Sequence, residues 1–185
     1  MSGSLLLDLL VIVLTVVAME GIAAATHRYI MHGAIGWGWH RSHHEDEGGV
    51  LEANDLYAVV FTVLSGLLIA LGMAGVWPLR QVGIGLMVYG ILYFCVHDGL
   101  VHQRWPFRYV PRRGYLKRLV QAHKMHHAVE GRDGCVSFGF LYAPPVRALK
   151  ERLRAEGALQ SGGGRNRAEP GHAPANPATH AEQRS

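Results

Sequence analysis

Ten histidines gathered in four short clusters are the residues of this chain whose type and spacing could do chemistry. They are His27 and His32 in HRYIMH, His40, His43 and His44 in HRSHH, His97 and His102 in HDGLVH, and His123, His126 and His127 in HKMHH. The order is HxxxxH, HxxHH, HxxxxH, HxxHH, one pattern written twice. On a helix the three positions of HxxHH lie at about 0°, 300° and 40°, so the rings share a face and can grip a metal. In HxxxxH the two positions are about 140° apart on an ideal α-helix, so those pairs are expected to straddle two ions or to sit where a helix ends. Imidazoles buried without partners are costly, and metal coordination supplies partners. Ten histidines overfill a zinc site of three or four ligands and suit two ions of about five ligands each. Imidazole suits Zn, Cu, Fe and Ni alike, so ligand type alone does not choose the metal. HExxH is absent, because Glu45 follows its triad, and none of the four clusters carries the Glu and ExxH ligands of soluble di-iron bundles. His172 and His180 stand apart in a polar tail and are read as ordinary solvated residues.

Three apolar runs must position these rings. Residues 4–25 (SLLLDLLVIVLTVVAMEGIAAA), 56–77 (LYAVVFTVLSGLLIALGMAGVW) and 81–102 (QVGIGLMVYGILYFCVHDGLVH) each meet the length of about 20 residues that crosses a hydrocarbon core. Only Pro-Leu-Arg separates the last two, which makes them a tight hairpin. Met1–Ser4 carries no Lys or Arg, so the first run reads as a retained span and not a cleaved signal. Of 18 Lys and Arg, Arg80 alone sits at the hairpin tip, while Arg28, Arg41 and everything from Arg104 onward lie on the other side. The positive-inside rule then puts the N-terminus and the hairpin tip outside and all ten clustered histidines at the cytoplasmic face of the inner membrane. The fold class that follows is an all-α integral membrane protein, with three transmembrane helices plus cytoplasmic-side helices that carry the histidines.

From Arg104 to Arg154 the chain is basic, and Trp105, Phe107, Tyr109 and Tyr115 among arginines suit a segment lying at headgroup level. Residues 115–129 (YLKRLVQAHKMHHAV) read as a helix, with Pro144 and Pro145 closing the ordered region. This divides the chain into a membrane-embedded domain over 1–150 and a Gly, Pro and Ala-rich tail over 151–185 that is expected to be disordered. Cys95 and Cys135 have no motif spacing and are read as unpaired thiols.

The four boxes, with two spans between the second and third, resemble the fatty acid hydroxylase/sterol desaturase superfamily of non-haem di-iron membrane enzymes. More narrowly, THRYIMHG, GWGWHRSHH, EANDLY, YFCVHDGLVHQRWPF and QAHKMHHAVEGRDGCVSFGFLYAPP are similar to segments of the bacterial β-carotene hydroxylases, over roughly Glu20 to Lys150. The resemblance implies that all ten clustered histidines are ligands or candidate ligands of two iron ions. It implies hydroxylation of C3 on the β-ionone rings of β-carotene, through β-cryptoxanthin to zeaxanthin, with O2 and two electrons per hydroxyl; ring-ketolated substrates on a route to astaxanthin are a further implication. A carotenoid ketolase, or a sterol or fatty acid hydroxylase or desaturase, is the rival within the superfamily; a membrane haem or metal-binding protein is the rival outside it.

An unactivated ring C–H bond needs a strong oxidant, which paired irons can draw from O2 and a Lewis-acidic zinc cannot. The carotenoid dissolves in the lipid bilayer, so its ring can reach a site at the membrane surface while its polyene stays in lipid. Gly66, Gly72, Gly83 and Gly90 are expected to let helices pack closely, the alternative being that they leave room for that polyene. No dinucleotide fingerprint follows a strand, so electrons are expected from a ferredoxin-like partner, or from NAD(P)H through a partner reductase, docking on basic residues between Arg108 and Lys124. The same charges also serve topology and anionic lipid, and no nucleic-acid partner is expected. Two acids could support the rings: Asp98, beside His97, as holder of a ring N–H, and Glu20, about 20° from His27 around the helix and two turns beneath it, as an orienting or proton-carrying group.

Overall fold

The computed structural model describes residues 4–45, 51–106, 108–129 and 131–157, and among them every regular element is helical. Helix α1 spans Leu5–Ala25, α2 Trp37–His44, α3 Asp55–Met73, α4 Leu79–Tyr93, α5 Gly114–His126 and α6 Val146–Ala155. Two of the helices do not end as α-helices: α1 runs on into a π-helical turn over Thr26–Met31, and α4 into another over Phe94–Val101.

Three helices are long and apolar enough to cross a membrane, over Leu5–Met31, Asp55–Met73 and Leu79–Val101. Their large apolar side chains face outward, with Leu6, Val17 and Val63 all highly exposed. In water that exposure would be unfavourable over so many contiguous residues, whereas in lipid it is the required surface. The second span stops at Met73, four residues before the sequence reading ends it, because Gly75 takes a left-handed φ of +100° that the helix cannot continue through.

Helix α4 is the central span. Gly83 lets it close on α3, where a Cβ would meet Ile69 Cγ1 at 2.7 Å and the Ser65 carbonyl oxygen at 2.8 Å. Ser65 Oγ donates to the Gly83 carbonyl at 2.8 Å across the same contact. Gly85 does the same against α1, where a Cβ would lie 2.6 Å from Thr15 Cβ. Gly72 presses on the Arg80 backbone at the hairpin tip, but Gly66 and Gly90 have nothing within 4 Å of where a Cβ would point. Of the four glycines expected to let helices pack closely, Gly72 and Gly83 do so, whereas Gly66 and Gly90 meet no neighbour there.

Beyond the spans, α5 and α6 bury Leu119, Ala122, Leu149 and Leu153 together with Val101, Val129 and Val136. The ordered chain thus does not close at Pro144–Pro145. Pro145 is the residue before α6, where its missing N–H costs nothing, and the boundary drawn at 150 falls inside that helix. The tail beyond 157, with His172 and His180, and Phe107 of the aromatic segment lie outside the described residues. Tyr109 and Tyr115 are exposed, whereas Trp105 is half-buried, its ring 3.0 Å from where a Cβ on Gly99 would lie.

Candidate metal centre

The two π-helical turns resolve the geometry of the HxxxxH pairs. His32 N–H donates to the His27 carbonyl at 3.0 Å and His102 N–H to the His97 carbonyl at 2.9 Å. An i→i+5 bond widens the turn by one residue and brings residue i+5 back above residue i. Each pair thus shares a face, with ring centroids 5.2 Å apart for His27 and His32 and 4.5 Å for His97 and His102. Each pair sits where the α-helix of its span ends, one of the two arrangements expected of it, and it is the triads that reach two separate groups of histidines.

Donor atoms from His27, His32, His40 and His126 lie within 4.8 Å of one another, as do those from His43, His102, His123 and His127. We call these the first and second nests. His97 flanks the second, with ring centroids 4.8 Å from both His43 and His123. His44 stands between the nests, 5.0 Å from the His126 ring and 4.5 Å from that of His127. From one triad, His40 joins the first nest and His43 the second; from the other, His126 joins the first and His123 with His127 the second. Cys135 also approaches His32, His44 and His126 within 4.8 Å, a proximity that its spacing in the sequence does not signal.

What aims the rings is a set of acceptors on their outer nitrogens. His27 Nδ1 donates to the Phe138 carbonyl at 2.9 Å, His32 Nδ1 to that of Arg132 at 2.8 Å, and His126 Nδ1 to that of Val136 at 2.9 Å. Side chains hold three more: Asn54 Oδ1 accepts from His40 Nδ1 at 2.8 Å, Glu52 Oε2 from His43 Nδ1 at 2.8 Å, and Asp98 Oδ1 from His97 Nδ1 at 2.7 Å. With the proton fixed on Nδ1, each Nε2 presents a bare lone pair.

Those lone pairs face one another. Nε2 of His27 lies 3.0 Å from that of His40, His40 lies 3.2 Å from His32, and His32 lies 3.1 Å from His126, with no proton left to share in any of these contacts. Nε2 of His102 and of His127 lies 2.8 and 2.9 Å from that of His123, and Nε2 of His43 and of His44 is buried without a hydrogen-bond partner. Such an array is repulsive by itself and becomes favourable around a cation, so the donor set fits metal ions.

Burial keeps the rings in the neutral form that ligation needs. It lowers His40 and His102 to about 3, His44 to about 4 and His127 to about 2, and holds His32, His123 and His126 below the ordinary imidazole value, with neighbouring histidines adding to the effect. The Cys135 thiol is pushed up to about 11 by burial, so it stays a neutral thiol at neutral pH.

Glu20 touches no histidine. Its carboxylate accepts from the main-chain N–H of Phe140 at 2.9 Å, Leu141 at 3.0 Å and Tyr142 at 2.9 Å, and from Tyr89 Oη at 2.8 Å. It pins the loop whose Phe138 carbonyl holds His27, and so acts on the nest through the backbone. Ser137, between two of the ring-holding carbonyls, has a left-handed φ of 62°, a conformation an L side chain adopts only when its surroundings enforce it. Glu52 and Asn54 lie in EANDLY, one of the segments that carry the resemblance, but nothing in their residue types or spacing marks them as ring holders. Arg104 forks onto Asp55 at 2.9 and 2.8 Å, tying the chain after the third span to the start of the second.

Next to the nests, inside the membrane region, lies an apolar cavity of about 420 Å³ between α1, α3 and α4. Tyr93 and Phe140 line it where it adjoins the histidines: Tyr93 stacks on His97 with centroids 4.5 Å apart and Phe140 on His27 at 5.1 Å.

The family model for fatty acid hydroxylase matches residues 12–143. The chain is 62% identical over 157 residues to the beta-carotene hydroxylase of Pantoea ananas, covering 85% of this chain and 89% of that protein. It is 63% identical over 150 residues to the beta-carotene hydroxylase of Pseudescherichia vulneris, covering 81% and 85%. It is 60% identical over 152 residues to that of Paracoccus sp. (strain PC1), covering 82% and 93%. No solved structure matches the chain.

Proposed function

Since the chain belongs to the fatty acid hydroxylase family, we propose that it hydroxylates C3 of the β-ionone rings of β-carotene, giving β-cryptoxanthin and then zeaxanthin. The relatives named beta-carotene hydroxylase, at 60–63% identity over most of their own length, support the substrate. The observation that carries the chemistry is the pair of adjacent nests of inward-facing Nε2 atoms at the ends of two apolar spans.

Two iron ions suit these nests. His27, His32, His40 and His126 would hold one, and His43, His97, His102, His123 and His127 the other, with His44 between them. Bound there, the iron pair supplies the oxidising power from O2 that an unactivated ring C–H bond demands. The chain's own residues do the positioning. Asn54, Glu52, Asp98 and three loop carbonyls fix each ring's tautomer and direction. Tyr93 and Phe140 cover the nests on the membrane side and exclude water there. Electrons arrive from a ferredoxin-like donor, fed by NAD(P)H through its reductase, and the exposed Arg108, Arg112, Arg113, Lys117 and Lys124 offer an acidic carrier a docking face. The same charges favour the cytoplasmic side of the inner membrane for the site.

Pigment analysis of β-carotene-accumulating cells expressing the chain tests this reading, with His43→Ala as control. Zeaxanthin from the native chain and none from the variant is the expected result. Untouched β-carotene from a well-expressed native chain overturns the substrate, and purified protein holding zinc or a single metal overturns the iron pair.

A further inference from the structure

We propose that the cavity between α1, α3 and α4 is the seat of one end of the carotenoid, ring and adjoining polyene, and that Gly90 keeps it open. The proposal rests on the function given above and names where its substrate binds. The lining is hydrocarbon and aromatic, from Met19, Leu86 and Phe61 among others. Four hydroxyls also border it, but their hydrogens are already committed: Tyr57 donates to the Gly36 carbonyl at 2.9 Å, Thr62 to that of Ala58 at 2.8 Å, Ser65 to that of Gly83 at 2.8 Å, and Tyr89 to Glu20 at 2.8 Å. An occupant of that stretch therefore meets no free donor among these hydroxyls and otherwise hydrocarbon, which favours an apolar molecule. The remaining polar side chains of the lining, Thr26, Tyr93 and Asp98, belong to the end next to His27 and His97, where a newly formed hydroxyl needs partners.

Gly90 is the telling residue. A glycine within a helix costs about 1 kcal/mol relative to alanine, and Gly83 and Gly85 of the same helix repay it by close contact with neighbours. Gly90 makes no such contact, with nothing within 4 Å of its missing Cβ, and it lines the cavity. Its role is room. Because the cavity lies within the span region and meets the nests at Tyr93 and Phe140, the occupant is a molecule dissolved in the bilayer with one end presented to the histidines. A long apolar molecule with a compact end group fits that description.

The test compares Gly90→Leu with Gly66→Leu, whose Cβ also meets nothing within 4 Å but which lies outside the cavity lining. Full-length proteins are purified in detergent, stripped of metal and mixed with β-carotene, and retained pigment is read from the absorbance of the eluted protein. Melting temperature and cobalt uptake are measured alongside. Gly90→Leu is expected to retain at least about tenfold less pigment than the native chain, with melting and cobalt uptake unchanged, while Gly66→Leu retains as much as the native chain. Equal retention by Gly90→Leu overturns the proposal. Loss of a co-purifying phospholipid from Gly90→Leu with pigment retention unchanged also overturns it, by assigning the cavity to a lipid acyl chain. Native protein that retains β-carotene without hydroxylating it in cells leaves the seat standing and removes the function; native protein that does neither removes both.

Discussion

Replacing Asn54 by alanine isolates the part played by a residue that touches no reacting group. Asn54 is 4% exposed, and its Oδ1 is the acceptor for His40 Nδ1–H at 2.8 Å. Its main-chain N–H bond to Ser42 Oγ survives the substitution, so the local backbone keeps its anchor. With a metal on Nε2, the ring proton is confined to Nδ1, and alanine leaves that buried donor without an acceptor at a cost of about 1–3 kcal/mol. Without metal, the proton can move to Nε2, where it bridges to the lone pairs of His27 at 3.0 Å or His32 at 3.2 Å and relieves their repulsion. The penalty therefore falls on the loaded state, and metal affinity is expected to drop about 10–100-fold while the metal-free protein melts close to native. Asn54→Asp, which keeps the acceptor and adds charge, is expected to bind at least as tightly. Chelator competition with cobalt, read with melting curves of the metal-free proteins, makes the measurement. A folded Asn54→Ala protein that binds cobalt as tightly as the native chain would refute the idea that this acceptor sets the tautomer.

Three other outcomes follow from the same geometry. Burial places His40 and His102 at about 3 and His44 at about 4, against about 6.5 in the unfolded chain, so on acidification the unfolded state takes up protons first. Stability of the metal-free protein is therefore full above about pH 6.5 and falls below it, by about 1.4 kcal/mol per pH unit for each such ring, and a denaturation midpoint that stays level from pH 7.5 to 5 contradicts the burial of neutral rings. Glu20→Ala orphans three main-chain donors and the Tyr89 hydroxyl, and is expected to cost more than about 3 kcal/mol and to lower the melting temperature by about 6 °C or more; a native-like melt removes its role in pinning the loop. Gly83→Ala forces a methyl against Ile69 and the Ser65 carbonyl and is expected to destabilise by about 1–3 kcal/mol, which thermal melts in detergent can check.

The histidine boxes, the three spans and their shared membrane face are legible in the sequence because each depends on residue type and short-range spacing. Ten imidazoles in a doubled pattern next to apolar runs have few other uses, and span length is set by the bilayer itself. The partition of the rings is not legible. It turns on i→i+5 hydrogen bonds at His27–His32 and His97–His102, and nothing in the local residue types distinguishes that turn from an α-helical one. Tertiary packing decides it, by drawing each pair towards histidines that lie far away in the chain. Asp98 could be guessed because it adjoins His97, whereas Glu52 and Asn54 hold rings across a loop, and Arg132, Val136 and Phe138 hold theirs with carbonyls that every residue possesses. Glu20 illustrates the same limit, since helical periodicity puts it beneath His27 but cannot know that the 140–142 loop folds over and takes up its charge. Residue types along the chain determine that this protein lies in a membrane and gathers imidazoles at one face; contacts between distant segments decide which lone pairs meet, which are covered, and where space is left beside them.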